Sequence, residues 1–507
     1  MAEKKKRFVI EKLHALTVNE KILNNYLADA IANSTSLRVL QIDHSISSTK
    51  QWKTLCCGGL LNNVSIDTLV FNGFNVTEPQ ALDYVGQIFK EKKIRLVNLV
   101  GVGGKNEIIE PLISYIAESV ATNTIKMSNF THYYDGASLG SSCLRNKNIK
   151  KLTISNSTLN MDQFRRLVRD INNSNVTSLN IGLTIAGGIM LDLSPILLAS
   201  NTVKKLKLYN HPTTQPESNI FFTMMKNNTT IEQLKLLQFE EISNPSRFAE
   251  QLKDILISTT TLKELMFFDR SRTIAIIDGI ALNRSLTALD LTVKTAKSYQ
   301  MLCEMLSIHP KIERAKIRSV ETPDHLTTTL NLIRNSKSIT DLDISDSENV
   351  DDDMLDLICQ FIAGNPILRR IKMTLNTLTL NSKEVFWKTV TCNRNLYCFE
   401  IDISCSKPFN TSVWNRIERV LELNPGITSI GKLNDIPENI QLLLDKNYKA
   451  VINSVTNTKM LIILMARHRD VFTDALPLEI WLMIFKNVRY FGINLDFGAM
   501  LLLEMNK

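Results

Sequence analysis

The sequence predicts an α/β solenoid of about fifteen strand–helix repeats, a curved horseshoe with a parallel concave sheet, outer helices and a helical C-terminal cap. Three observations predict it. An apolar residue that opens a strand-like segment recurs at intervals of about 28 residues, from Leu37 to Ile427. Each recurrence begins an apolar–polar alternation, as in Leu206-Lys-Leu208, Leu289-Asp-Leu291 and Ile339-Thr-Asp-Leu-Asp-Ile344. Each alternation is followed by apolar residues at helical spacing. A chain of 507 residues is also too long for one compact core, which favours a repeat array or several domains.

The leading residues can be followed in order: Leu37, Ile66, Ile94, Ile149, Val176, Val203, Ile231, Leu262, Leu286, Ile312, Ile339, Leu368, Leu396 and Ile427. An earlier copy begins at Ile10, and the double interval between Ile94 and Ile149 holds a degraded copy around Ile125. In the helical halves, Met161, Phe164, Leu167, Val168 and Ile171 share one face, as do Met354, Leu355, Leu357, Ile358, Phe361 and Ile362. The helices end in turns rich in Asn, such as Asn227-Asn228, Asn393-Arg-Asn395 and Asn365-Pro366. Asn tolerates the left-handed backbone that stops a helix, and Pro forbids its continuation. The N-x-S/T triplets at Asn33, Asn63, Asn129 and Asn228 read as helix-end turns.

This unit resembles the leucine-rich repeat of the ribonuclease-inhibitor type, over residues 8–430. The resemblance implies strand leucines at repeat positions one, four and six, and a buried Asn or Cys at position nine. Here position nine holds Ser45, Ser157, Thr184, Ser347, Asn376 or Ser404, and elsewhere Phe74 or Phe239, so an irregular polar ladder is expected. The domain reading is a repeat solenoid over 1–430, a helical cap over 431–470 and an F-box-like or capping helical segment over 471–507.

Hydrophobic content of 44% and charged content of 22% describe a soluble globular chain. A net charge of +8 over this length implies mild attraction to acidic partners. The start, Met1 to Arg7, lacks the apolar core of a signal peptide. The most apolar windows, Leu183 to Ala199 and Met460 to Ala466, are interrupted or too short to cross a bilayer. The eight cysteines form no CxxC pair and have no zinc spacing, so a reduced, cytoplasmic setting is expected, the host cytoplasm if the protein is viral or an effector.

Gly101-Val-Gly-Gly-Lys105 has neither the glycine spacing nor the Ser/Thr of a phosphate loop. His468-Arg-Asp470 and Asp496-Phe-Gly498 resemble kinase signatures, without the Asn, glycine-rich loop or strand lysine that complete them. No acid–base, nucleophile or metal constellation is present, so the expectation is a non-enzymatic protein with no cofactor.

The residues between the buried leucines point out of the concave sheet. They read Lys205, Lys207 and Tyr209; Gln233 and Lys235; Glu264, Met266 and Phe268; Ala288 and Asp290; Arg314, Lys316 and Arg318; Asp341, Asp343 and Ser345; Arg370 and Lys372; Glu400 and Asp402. Over the last four strands the charge alternates in sign. At about 4.8 Å between strands these groups either pair with each other or form a stripe that a partner reads. Tyr209, Met266 and Phe268 are candidates for a partner-binding patch. The basic strands are separated by neutral or acidic ones, which argues against nucleic acid.

Leu476-Pro-Leu-Glu-Ile-Trp-Leu-Met-Ile-Phe485 reads as an amphipathic helix with Pro in its first turn, suited to docking on another helix. It resembles the opening of an F-box, and the order of repeats followed by F-box resembles repeat proteins of large DNA viruses or amoebal organisms. The resemblance implies contact with the adaptor subunit of a cullin-type ubiquitin ligase through Leu476, Pro477, Glu479, Ile480, Ile484 and Phe485. Two readings stand. The chain is a substrate adaptor that binds a target on the concave face and docks the ligase through this helix. Alternatively it is a plain repeat binding or inhibitor protein with no ligase link, whose last segment only caps the solenoid.

Overall fold

A computed structural model describes residues 14–450 apart from internal segments, the longest being 130–142, 186–200, 210–222, 320–329 and 375–388. The chain divides into two compact units, Met1–Leu286 and Thr287–Lys507.

In the first unit ten parallel strands pair in chain order: β1 (Ala15–Val18), β2 (Val39–Asp43), β3 (Thr68–Asn72), β4 (Leu96–Val100), β5 (Thr124–Ser128), β6 (Lys151–Leu159), β7 (Ser178–Ile185), β8 (Lys205–Tyr209), β9 (Gln233–Leu237) and β10 (Glu264–Phe267). The register puts repeat position four of each strand in one column: Leu40, Leu69, Val97, Ile125, Leu152, Leu179, Leu206, Leu234 and Leu265. Position six forms a second column, from Ile42 and Phe71 to Leu236 and Phe267, and both columns are buried. The second unit repeats the plan with β11 (Ala288–Val293), β12 (Arg314–Ser319), β13 (Asp341–Ile344), β14 (Arg370–Thr374) and β15 (Cys398–Asp402), again parallel and in order. Each unit is therefore the expected α/β solenoid. Its helices close the core with the faces read from spacing: Phe164, Leu167, Val168 and Ile171 are buried in one, Ile358, Phe361 and Ile362 in another.

The degraded copy opens at Thr122, not at an apolar residue. Ile125 occupies position four, in register with Val97, which puts Thr122 at position one. Thr122 is fully buried, and its hydroxyl donates to the Ile94 carbonyl at 2.8 Å. That bond lets a polar residue occupy an apolar site.

The recurrent polar device lies three residues before the leading position, not at position nine. Position nine holds Phe74 in one repeat, packed against Trp52 and Phe71 at centroid distances of 5.8 and 5.4 Å. Three residues before seven of the leaders sit Asn63, Asn146, Asn228, Asn283, His309, Ser336 and Asn365. Asn63 Oδ1 accepts from the backbone N–H of Ser65 and of Ile66, at 2.7 and 2.8 Å. Its Nδ2 donates to the carbonyls of Ile31 and Ser34 in the preceding repeat, at 2.6 and 2.7 Å. Asn146 and Asn283 make the same double link to Ile116 and Ser119, and to Leu256 and Thr259. His309 uses Nδ1 and Ser336 its hydroxyl as the acceptor. In the repeat led by Ile94 the Lys92 ammonium reaches back instead, donating to the Asn63 carbonyl at 2.6 Å. These side chains satisfy the backbone groups left over where helix turns into strand.

A second column stands seven residues after the leaders. Gly73, Gly101, Asn129 and Asn156 all have left-handed backbone, with φ of 68°, 56°, 59° and 48°. The N–H groups of Gly73, Gly101 and Asn129 donate to Val100, Ser128 and Ser155, which carries the sheet ladder one step beyond the strands. Asn129, expected in a helix-end turn, belongs here at a strand end. Asn is the residue other than Gly that enters this region most readily.

The 28-residue period fails after Ile430, but the bridge does not. A helix over 438–450 buries Ile440 and Leu444, and its Asn447 donates to the carbonyls of Leu421 and Ile427, both at 3.1 Å. Leu421 precedes its leader, Ile427, by the same interval as Ile31 precedes Leu37. The helix thus docks as a repeat helix would. Residues 451–507, with the motif at Leu476, lie outside the described residues.

Among the described cysteines, Cys56, Cys143, Cys303 and Cys359 are buried thiols outside any disulfide. Burial pushes the Cys143 thiol up to about 12, and the side chain packs as an apolar group.

Candidate functional site

Because the apolar columns face the helices, repeat positions three and five face away from them. These outward side chains form the sheet face of each unit. In the second unit it carries alternating charge, and the charges meet. Lys316 Nζ lies 3.1 Å from Asp343 Oδ2, with both side chains about a quarter exposed or less (21% and 24%). Arg318 holds Asp290 with two nitrogens, at 2.9 and 3.2 Å. Register places Asp341 opposite both Arg314 and Arg370, and Lys372 opposite both Asp343 and Glu400. Ala288 and Asp290, read from sequence as open face, are only 5% and 9% exposed. For Asp290 the cause is visible in the Arg318 guanidinium, which reaches back over it from the next strand.

The first unit differs along its length. On β2 to β4 the outward residues are Val39, Gln41, Thr68, Val70, Leu96, Asn98 and Val100, all half-buried, with Asp43 the one charge. On β5 to β8 they are Thr124, Lys126 and Ser128; Lys151, Thr153 and Ser155; Ser178 and Asn180; Lys205 and Lys207. On β9 and β10, Lys235 pairs with Glu264 at 2.9 Å. Lys205 is exposed; Lys207 and Met266 are half-buried on this face. Phe267, the neighbour of Met266, is fully buried, which fixes the alternation there. The side chains of Tyr209 and Phe268 lie outside the described residues.

Lys126 and Lys151 belong to the face and were missed in the sequence. They occupy the same outward positions as Lys207 and Lys205, so the period itself was the signal. For Lys126 the signal was hidden because its repeat opens with Thr122.

Beside the strand starts runs a row of exposed ion pairs. Lys204 bonds Glu232 at 2.9 Å. That hydrogen bond, then the charges of Lys204, Lys263 and Lys205, hold the Glu232 carboxyl below the usual range, against a partial desolvation that raises it. Arg95 pairs with Asp67 through two nitrogens. Burial raises the Asp67 carboxyl, but hydrogen bonds from Arg95 and Thr68 and the charges of Arg95 and Arg38 outweigh it and leave the group below its ordinary value. A carboxylate whose pKa is depressed on folding stabilises the fold above its unfolded pKa, and that contribution is lost as pH falls through the folded one. Asp67→Asn is therefore expected to cost stability at pH 7 and to narrow the gap between midpoints at pH 7 and pH 3, as read by urea denaturation at both.

Among the described residues no group of three or more His, Cys, Asp or Glu could hold a metal ion. No described helix is long and apolar enough to cross a membrane.

The arrangement defines the class: a strand–helix repeat protein that presents a broad, charge-patterned sheet face. No family model matches the chain, and no curated protein does. Among solved structures it is similar to one described as the Rad7 and Elc1 complex in yeast, with 12% identity, 85% of this chain and 93% of that chain covered, and a TM-score of 0.38. It is also similar to the leucine-rich repeat-containing protein LegL7 from Legionella pneumophila, with 15% identity, 63% and 97% covered, and a TM-score of 0.39. Both overlays are loose, and the functional reading rests on this chain's own residues.

Proposed function

We propose that the protein is a non-enzymatic interaction scaffold that binds a target protein on the sheet face. Its C-terminal helix docks the adaptor subunit of a cullin-type ubiquitin ligase. The observation that supports it most is the unevenness of the face. Cations on β9 and in the second unit meet carboxylates from neighbouring strands, whereas on β5 to β8 Lys126, Lys151 and Lys205 stand exposed on the same face. A face that only served solubility has no need of that asymmetry.

The docking half rests on the sequence motif Leu476, Pro477, Glu479, Ile480, Ile484 and Phe485. Asn447 adds support, because it lets 438–450 continue the repeats, so capping does not depend on the motif. The rival reading, that 471–507 is only a cap, separates from it in one experiment. Pull-down of the ligase adaptor subunit by the full chain is expected to fall at least about tenfold with Ile480→Asp plus Phe485→Asp, at an unchanged melting temperature. Equal capture by both forms, or a melting temperature that falls with no capture by either, sinks the docking claim and leaves the cap.

A further inference from the structure

Of the side chains that stand three residues before a leader, His309 is the one that changes charge near neutral pH. It follows the helix Ala296–Ile308 directly and is only 3% exposed. Its Nδ1 accepts from the backbone N–H of Lys311 and of Ile312, both at 3.2 Å. A ring nitrogen that accepts carries no proton, so the neutral ring holds its proton on Nε2. The next two repeats do the same work with oxygen. Ser336 Oγ accepts from the N–H of Ser338 and of Ile339, both at 3.3 Å. Asn365 Oδ1 accepts from Ile367 and Leu368, at 3.1 and 3.0 Å. Those oxygens keep their state between pH 5 and 8, and an imidazole does not. A second proton on His309 has to enter at Nδ1, where it turns an acceptor into a donor aimed at two donors.

The turn leads straight into the charged face of the second unit. Ile312, its leading residue, is fully buried, and β12 starts two residues later at Arg314. The His309 carbonyl also accepts from Ser338 Oγ at 2.7 Å, which ties the turn to the repeat that carries β13. We propose that His309 is a pH-sensitive latch: the neutral ring closes the entry to β12, and protonation opens it, loosening the face where Arg314 and Lys316 stand opposite Asp341 and Asp343. A ring that is neutral in the fold and free to charge when the turn opens binds fewer protons closed than open. The latch is therefore at full strength above the ordinary histidine value of about 6.5 and weakens progressively as pH falls below it.

The surrounding charges do not supply a counter-ion in the core. Glu304 on the same helix, Lys311, Glu313 and Arg314 after it, Arg334 and Lys337 before β13, and Arg284 at the end of the preceding helix are all exposed, where water screens them. Asp341 is half-buried opposite Arg314. Tyr299 and Cys303, buried on the same helix, are uncharged between pH 5.5 and 7.5. A helix C-terminus does favour a cation, but through its carbonyls, and Nδ1 faces N–H groups instead.

The test is hydrogen exchange of the full chain at pH 7.5 and 5.5, read as protection relative to the intrinsic rate at each pH. In the parent, protection at Lys311, Ile312 and β12 is expected to fall about tenfold, because the open turn takes up the proton. In His309→Asn, which supplies an oxygen acceptor as Asn365 does and keeps the other six histidines, the fall is expected to be less than about twofold. His309→Ser, patterned on Ser336, takes its place if the Asn variant does not fold. Selective carbon-13 labelling of histidine adds a direct readout in the parent: the ring signal that the variant lacks is expected to titrate below about 6. A midpoint at or above about 6.5 for that ring, or an equal loss of protection in parent and variant, overturns the proposal.

Discussion

Replacing Trp52 with alanine is expected to destabilise the first repeats by about 3–5 kcal/mol, the range for removing a large aromatic from a packed core. Trp52 is fully buried on the short helix Thr49–Lys53. That helix is started by a capping box in which Ser48 and Gln51 satisfy each other's backbone N–H groups. The ring stacks on Phe71 at 6.5 Å and meets Phe74 edge-on at 5.8 Å, so its loss opens a cavity between helix and sheet. In a solenoid, stability is close to a sum of repeat and nearest-neighbour contributions, so the damage should stay local. Hydrogen exchange is expected to quicken at the amides of β2 and β3 and to leave β12 and β13 unchanged. Trp52→Phe should cost far less, partly because it also removes the Nε1–H, which is buried with no acceptor among its neighbours. A uniform acceleration along the whole chain would contradict the nearest-neighbour picture.

Asn63→Ala is expected to cost about 2–4 kcal/mol, because one truncation strands two buried N–H groups and removes both of its bonds to the preceding repeat. The N–H groups of Ser65 and Ile66 lose their acceptor, and the Ile31 carbonyl is left with only the Ser34 N–H, at 3.2 Å. The Ser34 carbonyl keeps a second bond, from the Ser65 hydroxyl at 2.9 Å, which limits the damage. Asn63→Asp preserves shape and acceptor but turns an ionised oxygen toward two carbonyls. Burial and those carbonyls raise the pKa of the new carboxyl above its unfolded value, so the variant is worst at neutral pH and recovers as pH falls through the raised value. Urea denaturation at pH 7 and pH 5 checks this: the Asp variant gains stability on acidification while the Ala variant does not. An Asp variant as stable as the parent at both values would remove the bridge from the list of forces holding the repeats together.

The fold was legible because its period is long-lived and its strand alternation strict. Leu40, Leu69 and Val97 declare themselves as a column before any strand is drawn. What was hard to read follows from hydrogen bonding, which a hydrophobic pattern does not record. Thr122 hides in the core because a neighbouring carbonyl accepts its proton. The asparagine bridges occupy turns where Asn has a sufficient local explanation as a helix stop. Their link to the preceding repeat is visible only once repeats are stacked.

The face was half legible. Alternation assigned Lys205, Lys207 and Met266 to it, yet exposure depends on neighbours, and Arg318 covers Asp290 from the next strand. Charge sign along the sequence showed the cations. Only register showed that Arg314 and Lys316 stand opposite Asp341 and Asp343.

The claim that carries the functional reading is that partners are met on the sheet face and not on the helices. Site-specific photo-crosslinking in the native cell tests it most directly. A benzophenone amino acid is placed at Gln41 or Thr153 on the face, or at Arg165 or Glu250, which are exposed on helices. The prediction is one discrete adduct from the face positions and none from the helix positions. Adducts from Arg165 or Glu250 alone would place the binding surface on the opposite side and contradict it.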